Sequence, residues 1–167
     1  DAFDGDFIVG SIEDCFFFYS GNDGIDISGS VVKVKNLKII DAGDKGISVG
    51  EKSKLTGENI YLENCEIGIA CKDSSHTQLE NVKISKSHLG LTVYQKKSEY
   101  SGGKFSINNF EIIDTKVPYL RENLSEILIN NNLIPVADDK VKELLYGKEF
   151  GKKSEWRMAF REKIPDR

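Results

Sequence analysis

Arginine is missing from the first 120 residues; all four, Arg121, Arg157, Arg161 and Arg167, lie beyond them, while lysine is spread through the chain. That distribution limits the chemistry open to the larger part of the molecule. No apolar run approaches the roughly 18 to 20 residues needed to cross a bilayer, so membrane insertion is not expected. There is no basic excess either: the net charge is −4 with 30% charged residues, and no field is available to hold nucleic acid without help. The three cysteines, Cys15, Cys65 and Cys71, have none of the spacings of a zinc site and cannot all pair with one another, which leaves them as small core or wall residues. A start methionine and a basic leader are also missing, and the expectation is a segment of a larger or processed protein whose other domains are its neighbours. With 167 residues the chain has enough length for one domain with its own core.

What the chain does have is a repeat. Gly24, Gly46, Gly68 and Gly90 stand 22 residues apart, in the settings DGIDIS, KGISVG, IGIACK and LGLTVY. Each opens a period-2 strand with two apolar positions: Ile25 and Ile27, Ile47 and Val49, Ile69 and Cys71, Leu91 and Val93. Asn36, Asn59, Asn81 and Asn109 each precede a second alternating segment, Asp14 holds the same place before Cys15 and Phe17, and Ser30, Ser53 and Ser75 fall six residues ahead of three of the asparagines. A helical repeat would show apolar residues at i, i+3, i+4 and i+7, and a leucine-rich repeat would show its leucine and asparagine frame; neither pattern occurs.

A unit of short alternating strands with no room for a helix predicts an all-β fold, a right-handed parallel β-helix with coils of about 22 residues, each burying its apolar face on the next. The stacked asparagines are expected to satisfy backbone groups at a buried bend while bonding from coil to coil. Residues 1–117 are assigned to coils and 118–137 to the last strands, leaving 138–167 as a C-terminal helix and capping tail. Asp138 or Asp139 would cap that helix and Gly147 would end it, with Trp156 and Phe160 packing nearby. Such a cap is expected to cover the open sheet at the end of the solenoid. YQKKSEYSGG, residues 94 to 103, adds about six residues and predicts a loop leaving the wall.

If Ile25 and Ile27 point inward, Asp26 points out, in a row with Ser48, Ala70 and Thr92. Ser28, Gly50, Lys72 and Tyr94 form a second outward row, and Asp23, Lys45, Ile67 and Leu89 a third. Asp23, Asp26, Asp44 and Lys45 should therefore gather on one patch. The other strand face offers Phe16, Lys38, Tyr61, Lys83 and Glu111, whose alternation of aromatic and cation suits sugar rings and carboxylated sugars. His88 at a turn and His76 at a strand start carry no comparable signal.

The repeat resembles that of the right-handed β-helix proteins of bacteria, the superfamily of pectate lyases, polygalacturonases and alginate epimerases, over roughly residues 5 to 115. The resemblance implies an extracellular or cell-surface setting and a polysaccharide partner along the outer wall, with Lys45, Lys72, Tyr94, Tyr61 and Lys38 as substrate-binding candidates. Locally, NDGIDISGS is similar to the polygalacturonase motif whose Asn-x-Asp tripeptide supplies an acid, which makes Asp23, Asp26 and Asp44 the catalytic candidates. Lys45 stands where the second acid of the next motif belongs, His88 lacks its leading glycine, and no Arg-x-Lys follows. Inverting hydrolysis needs two carboxyls a water apart, and uronate elimination needs a cation and a base, for which Lys45 or Lys72 with Tyr94 as acid would have to serve. The expected function is thus a polysaccharide-recognising module, the alternatives being a lyase, hydrolase or epimerase, or a structural spacer. No cofactor is called for, calcium being the one ion the outward acids could take.

Overall fold

The computed structural model describes residues 1–137 and 140–146, which form a right-handed β-solenoid of six coils. The first coil runs through β1 (Phe3–Asp6), β2 (Val9–Glu13) and β3 (Phe16–Phe18), and the second through β4 (Ile25–Ser28) and β5 (Val31–Ile40). The next three repeat that pair as β6 (Lys45–Gly50) and β7 (Lys54–Glu63), β8 (Ile67–Lys72) and β9 (His76–Ser85), and β10 (Leu89–Tyr94) and β11 (Lys104–Ile113). The last has β12 (Val117–Arg121) and β13 (Glu126–Ile129), after which β14 (Asn132–Leu133) turns back antiparallel on β13. All other pairings are parallel, in two sheets. Sheet A is ordered β1-β4-β6-β8-β10-β12, and sheet B is β14-β13-β11-β9-β7-β5-β2 with β3 also on β5.

The register explains the 22-residue period residue by residue. Ile25 pairs with Ile47, Ile47 with Ile69 and Ile69 with Leu91, and all four are fully buried. Burying such columns at ~25 cal/mol per Å² is the main stabilising term, since no coil could hide its inner face alone. Cys65 and Cys71 lie in this core and Cys15 packs against it; burial pushes the Cys65 thiol up to about 12 and the Cys71 thiol up to about 11, so both stay protonated.

The repeating glycine has a steric cause. A Cβ on Gly46 would sit 2.7 Å from the carbonyl oxygen of Gly68, and one on Gly68 would sit 2.6 Å from that of Gly90. These coils touch backbone to backbone at that corner, and no side chain fits.

The asparagines bond as a ladder, though not at a buried bend. Asn36 Nδ2 donates to Asp14, Asn59 to Asn36, Asn81 to Asn59 and Asn109 to Asn81, at 2.7 to 3.2 Å, and all four asparagines are exposed. What the position requires is a left-handed backbone, with φ between 50° and 58° at those four residues. Asparagine tolerates that region better than most residues. The left-handed residue resets the alternation, so that Val34 and Leu37 both point inward while Lys35 and Asn36 between them both point out. Replacing Asn59 with leucine is expected to lower stability by about 1 to 2 kcal/mol, through strain at positive φ and two lost side-chain bonds, measurable as a drop in melting temperature. At the buried bend the backbone is satisfied by hydroxyls instead: Ser53 Oγ accepts from Ser30 N at 3.0 Å, and Ser75 Oγ from Ser53 N at 3.1 Å.

The loop after Tyr94 is tied down at its root. Asp73, fully buried, accepts from the backbone N of Lys96 and of Lys97 at 2.7 and 2.8 Å, and Lys97 reaches Glu51. Arg121, the one arginine among the described residues, is structural: it donates to the carbonyls of Ser125 and Ile134, and so fixes the segment that returns from the β13–β14 hairpin.

That return ends in α1 (Val141–Tyr146), whose Val141 and Leu145, four apart on one face, are buried. The helix lies on the outer wall of sheet A, where Val141 and Leu145 pack with Ile67, Ala70, Leu89 and Tyr94, and with Val117 and Leu120 of the last coil. The outward rows of those coils are apolar at Ile67, Ala70 and Leu89 because they carry this helix. Asp138 and Asp139 as caps, Gly147 as terminator, and Trp156 and Phe160 fall outside the described residues.

Candidate functional site

The outward rows expected on sheet A are present: Asp26 pairs with Ser48, Ser48 with Ala70 and Ala70 with Thr92, while Lys45 and Leu89 both pair with Ile67. Asp23, Asp44 and Lys45 meet. Lys45 Nζ donates to Asp44 Oδ2 at 2.6 Å and to Asp23 Oδ1 at 3.4 Å, and its backbone N donates to the same Asp23 oxygen at 2.9 Å. Asp1 extends the column, its Oδ1 accepting from Asn22 Nδ2 and from Asp23 N. One row over, Lys72 Nζ donates to Ser48 Oγ at 2.6 Å and stands 4.0 Å from Asp26 Oδ1. Tyr94 lies in the same row as Lys72 and shares a 2.9 Å hydrogen bond with the Tyr146 hydroxyl of α1.

These side chains come together beneath a roof, not on an open surface. Lys45 is 4% exposed, Lys72 5%, Asp23 2%, Asp44 4% and Tyr94 0%; only Asp26, with 29% of its side chain accessible, reaches solvent. Both faces of β6, β8 and β10 are buried from end to end. Sequence periodicity assigns a residue to the outer face but does not say what lies on that face. Over Ile67, Ala70, Leu89 and Tyr94 the covering comes from α1, which follows the last of these strands by roughly two coils' worth of chain.

Burial and charge act against each other in the cluster. Desolvation raises the Asp23 carboxyl above its ordinary value, opposed by the Lys45 ammonium. Desolvation also opposes the charge on Lys45, but Tyr146, Asp44 and Asp23 around it more than offset this and hold its ammonium above the usual lysine range. Burial, and after it Tyr146, raises the Tyr94 phenol well above its ordinary value. At neutral pH Lys45 therefore stays protonated and Tyr94 neutral, and Lys45 in this arrangement has no free pair with which to take a proton from a sugar. Among the described residues no group of three or more His, Cys, Asp or Glu side chains is arranged to hold a metal ion.

Sheet B presents an open face. Its column runs in register through Phe16, Lys38, Tyr61, Lys83 and Glu111. Lys38 Nζ sits 5.3 Å from the ring centres of both Phe16 and Tyr61, a cation between two aromatic rings one coil apart on either side. Phe16 is 54% exposed, Lys38 is exposed and Tyr61 is half-buried. The Tyr61 hydroxyl donates to Glu63 at 2.5 Å, which fixes the ring against the wall, and the Lys86 and Tyr61 bonds hold the Glu63 carboxyl below the usual range.

A second feature of sheet B has no counterpart in the sequence expectations. A groove of about 540 Å³ crosses the first halves of β7, β9 and β11, lined by Lys52, Lys54, His76, Gln78, Lys104 and Ser106 among others. The signal was available in principle: Lys54 and His76 stand one period apart, and Lys104 follows after a period lengthened by the loop. Taken singly, a lysine or a histidine at a strand start says little.

A family model described as the right-handed beta helix region matches residues 4–138. No curated protein and no solved structure matches the chain.

Proposed function

Because the chain belongs to the right-handed β-helix family, we propose that it is a polysaccharide-recognising module, part of a larger cell-surface or secreted protein, which binds sugar on the open outer wall of sheet B. The observation that carries this reading is the exposed column of Phe16, Lys38 and Tyr61, in register and held by cation–π contacts, on the side of the solenoid that α1 leaves uncovered. Aromatic rings held at one-coil spacing can take the apolar faces of successive sugars, and a lysine between them can meet a hydroxyl or a carboxylate. Lys38 and Tyr61 are thus the substrate-binding residues of this proposal.

Lys45, Lys72 and Tyr94, and with them Asp23 and Asp44, would meet a polysaccharide only with α1 lifted from sheet A. The catalytic assignment of Asp23 and Asp44 depends on that opening, and Asp26 alone reaches solvent, which is why recognition without turnover is the preferred function. A glycan array followed by titration of the best oligosaccharide tests it. Tyr61→Ala and Lys38→Ala are each expected to weaken binding about tenfold, on the order of 1.4 kcal/mol. Release of shorter or unsaturated products from the bound polymer would overturn the non-catalytic reading. The absence of binding to any glycan would leave the spacer.

A further inference from the structure

Charge is unevenly divided along the chain. Residues 1–32 carry seven aspartates and glutamates and neither a lysine nor an arginine, whereas residues 147–167 carry seven lysines and arginines against four carboxylates. The fold turns the first imbalance into a surface. On the outer face of sheet A, Asp4 pairs with Asp26 and Asp6 with Ser28, so three acids share the wall of the first two coils. Asp4 and Asp6 are exposed, and among the described residues neither has a lysine or arginine within 4.0 Å; Asp26 has Lys72, at that limit. At the corner after β1, Phe7 is 81% exposed and Val9 84%, which sets an apolar patch beside the acids.

The end of α1 points towards this wall. The chain approaches the helix from the last coil, where Ala137 N donates to the carbonyl of Arg121 in β12 at 3.0 Å. It leaves at Tyr146, whose hydroxyl meets that of Tyr94 in β10 and whose phenol lies close enough to Lys45 of β6 to help hold that ammonium charged. Sheet A is ordered β1-β4-β6-β8-β10-β12, so the helix travels from β12 towards β6, and the next strands in that direction are β4 and β1. The first coil is two strands beyond β6, about 10 Å at ~4.8 Å per strand. The 21 residues after Tyr146 span about 30 Å even at a helical rise of ~1.5 Å per residue, so they reach it with length to spare.

We propose that residues 147–167 continue across sheet A and dock on the first two coils of the same molecule, with their lysines and arginines on Asp4, Asp6 and Asp26 and their apolar residues, Phe150, Trp156, Phe160 and Ile164, on Phe7 and Val9. The occupant of the acidic wall is then the chain's own C-terminus, and the inference stands apart from the sugar reading of sheet B. Exposed ion pairs are weak singly. A tethered segment, however, meets the wall at an effective concentration on the order of millimolar, so that several weak pairs and a small apolar contact suffice to hold it. In place, the segment covers Asp26, the one acid of the sheet A cluster that reaches solvent, and shuts the cluster off completely.

Trp156 is the only tryptophan of the chain, so its fluorescence reports on this segment alone. In the full chain its emission is expected to lie to the blue of that of the urea-unfolded protein, with the indole shielded from acrylamide. In Asp4→Asn/Asp6→Asn/Asp26→Asn the emission should move to the red and the quenching constant should rise at least threefold, with circular dichroism unchanged to show that the coils remain folded. Wild type at about 1 M salt, where the Debye length is about 3 Å, should show the same shift without any substitution. Trypsin should cut after Arg157 and Arg161 at least tenfold faster in the triple variant. An indole as exposed in the wild type as in urea, or one whose shielding ignores both the variant and salt, overturns the proposal. Shielding that fades on dilution also overturns it, because the segment would then sit on a second copy.

Discussion

Gly68→Ala should destabilise the protein by about 3 kcal/mol or more, although it adds a single methyl group. The new Cβ would lie 2.6 Å from the carbonyl oxygen of Gly90 and 2.8 Å from Ile84 Cδ1. A side chain could rotate away from the second contact. The first is backbone, fixed by the parallel pairing of β8 with β10, and relieving it means parting two coils along their shared edge. Each coil is stabilised mainly by its neighbours, so a local separation weakens the stack on both sides. With a transition-temperature shift of roughly 2 to 4 °C per kcal/mol for a chain of this size, the melting point should fall by about 6 to 12 °C. Gly10→Ala is the control: it lies in β2, nothing comes within 4 Å of its added Cβ, and the substitution should be neutral or slightly stabilising. Equal melting points for wild type and Gly68→Ala would refute the steric account of the 22-residue glycine period.

Lys45→Met should be as damaging, for an electrostatic reason. The substitution keeps the length of the side chain but leaves Asp23 and Asp44, 2% and 4% exposed, without their shared cation. Breaking a buried ion pair by removing one partner typically costs about 3 to 5 kcal/mol, because the remaining charge is neither solvated nor paired. Urea denaturation would measure the loss, and its pH dependence identifies the cause. In the wild type the Lys45 ammonium is held above the 10.5 of a free lysine, so its contribution is complete below that pH and disappears as pH rises through the folded value; the variant lacks this alkaline loss. Asp23 is displaced upward from 3.8, so its protonated form favours the folded state at low pH and that preference vanishes as pH rises through the folded value. Without Lys45 to lower it, the Asp23 carboxyl moves further up, and the variant should regain stability on acidification from neutral pH. The triple variant Asp23→Asn/Asp44→Asn/Lys45→Met should recover most of the lost stability. Its carboxamide at position 23 would still offer an acceptor to the backbone N at position 45, and none of the three buried charges of this cluster would remain. A Lys45→Met protein as stable as wild type at neutral pH would show that the cluster is hydrated and the pairing of little consequence.

The two experiments concern features of unequal legibility. The glycine period, the inward isoleucines and the coil-to-coil asparagine contacts could all be read from spacing, because in a parallel solenoid a fixed sequence offset is a fixed spatial neighbour. For the same reason Asp23, Asp44 and Lys45 could be assembled on paper. Their burial could not. The apolar outward residues Ile67, Ala70 and Leu89 were the available sign that something covers the wall, but an apolar residue on an outer face is common enough to carry little weight alone. The left-handed φ at the asparagines was equally hidden, since a stacked amide serves a buried bend or an exposed one.

Sequence alone determined the solenoid: alternation at period 2 nested in a repeat of 22 leaves one way to bury the apolar columns, and each coil specifies its neighbour. Only the tertiary structure decided which walls are open. That depends on where the non-repeating chain after Arg121 returns, and on two apolar side chains of a six-residue helix, Val141 and Leu145, that hold it to sheet A. No period relates those residues to the coils they cover, so a pattern read along the chain cannot register the contact, whereas the burial of apolar area that drives it is felt only once both surfaces exist.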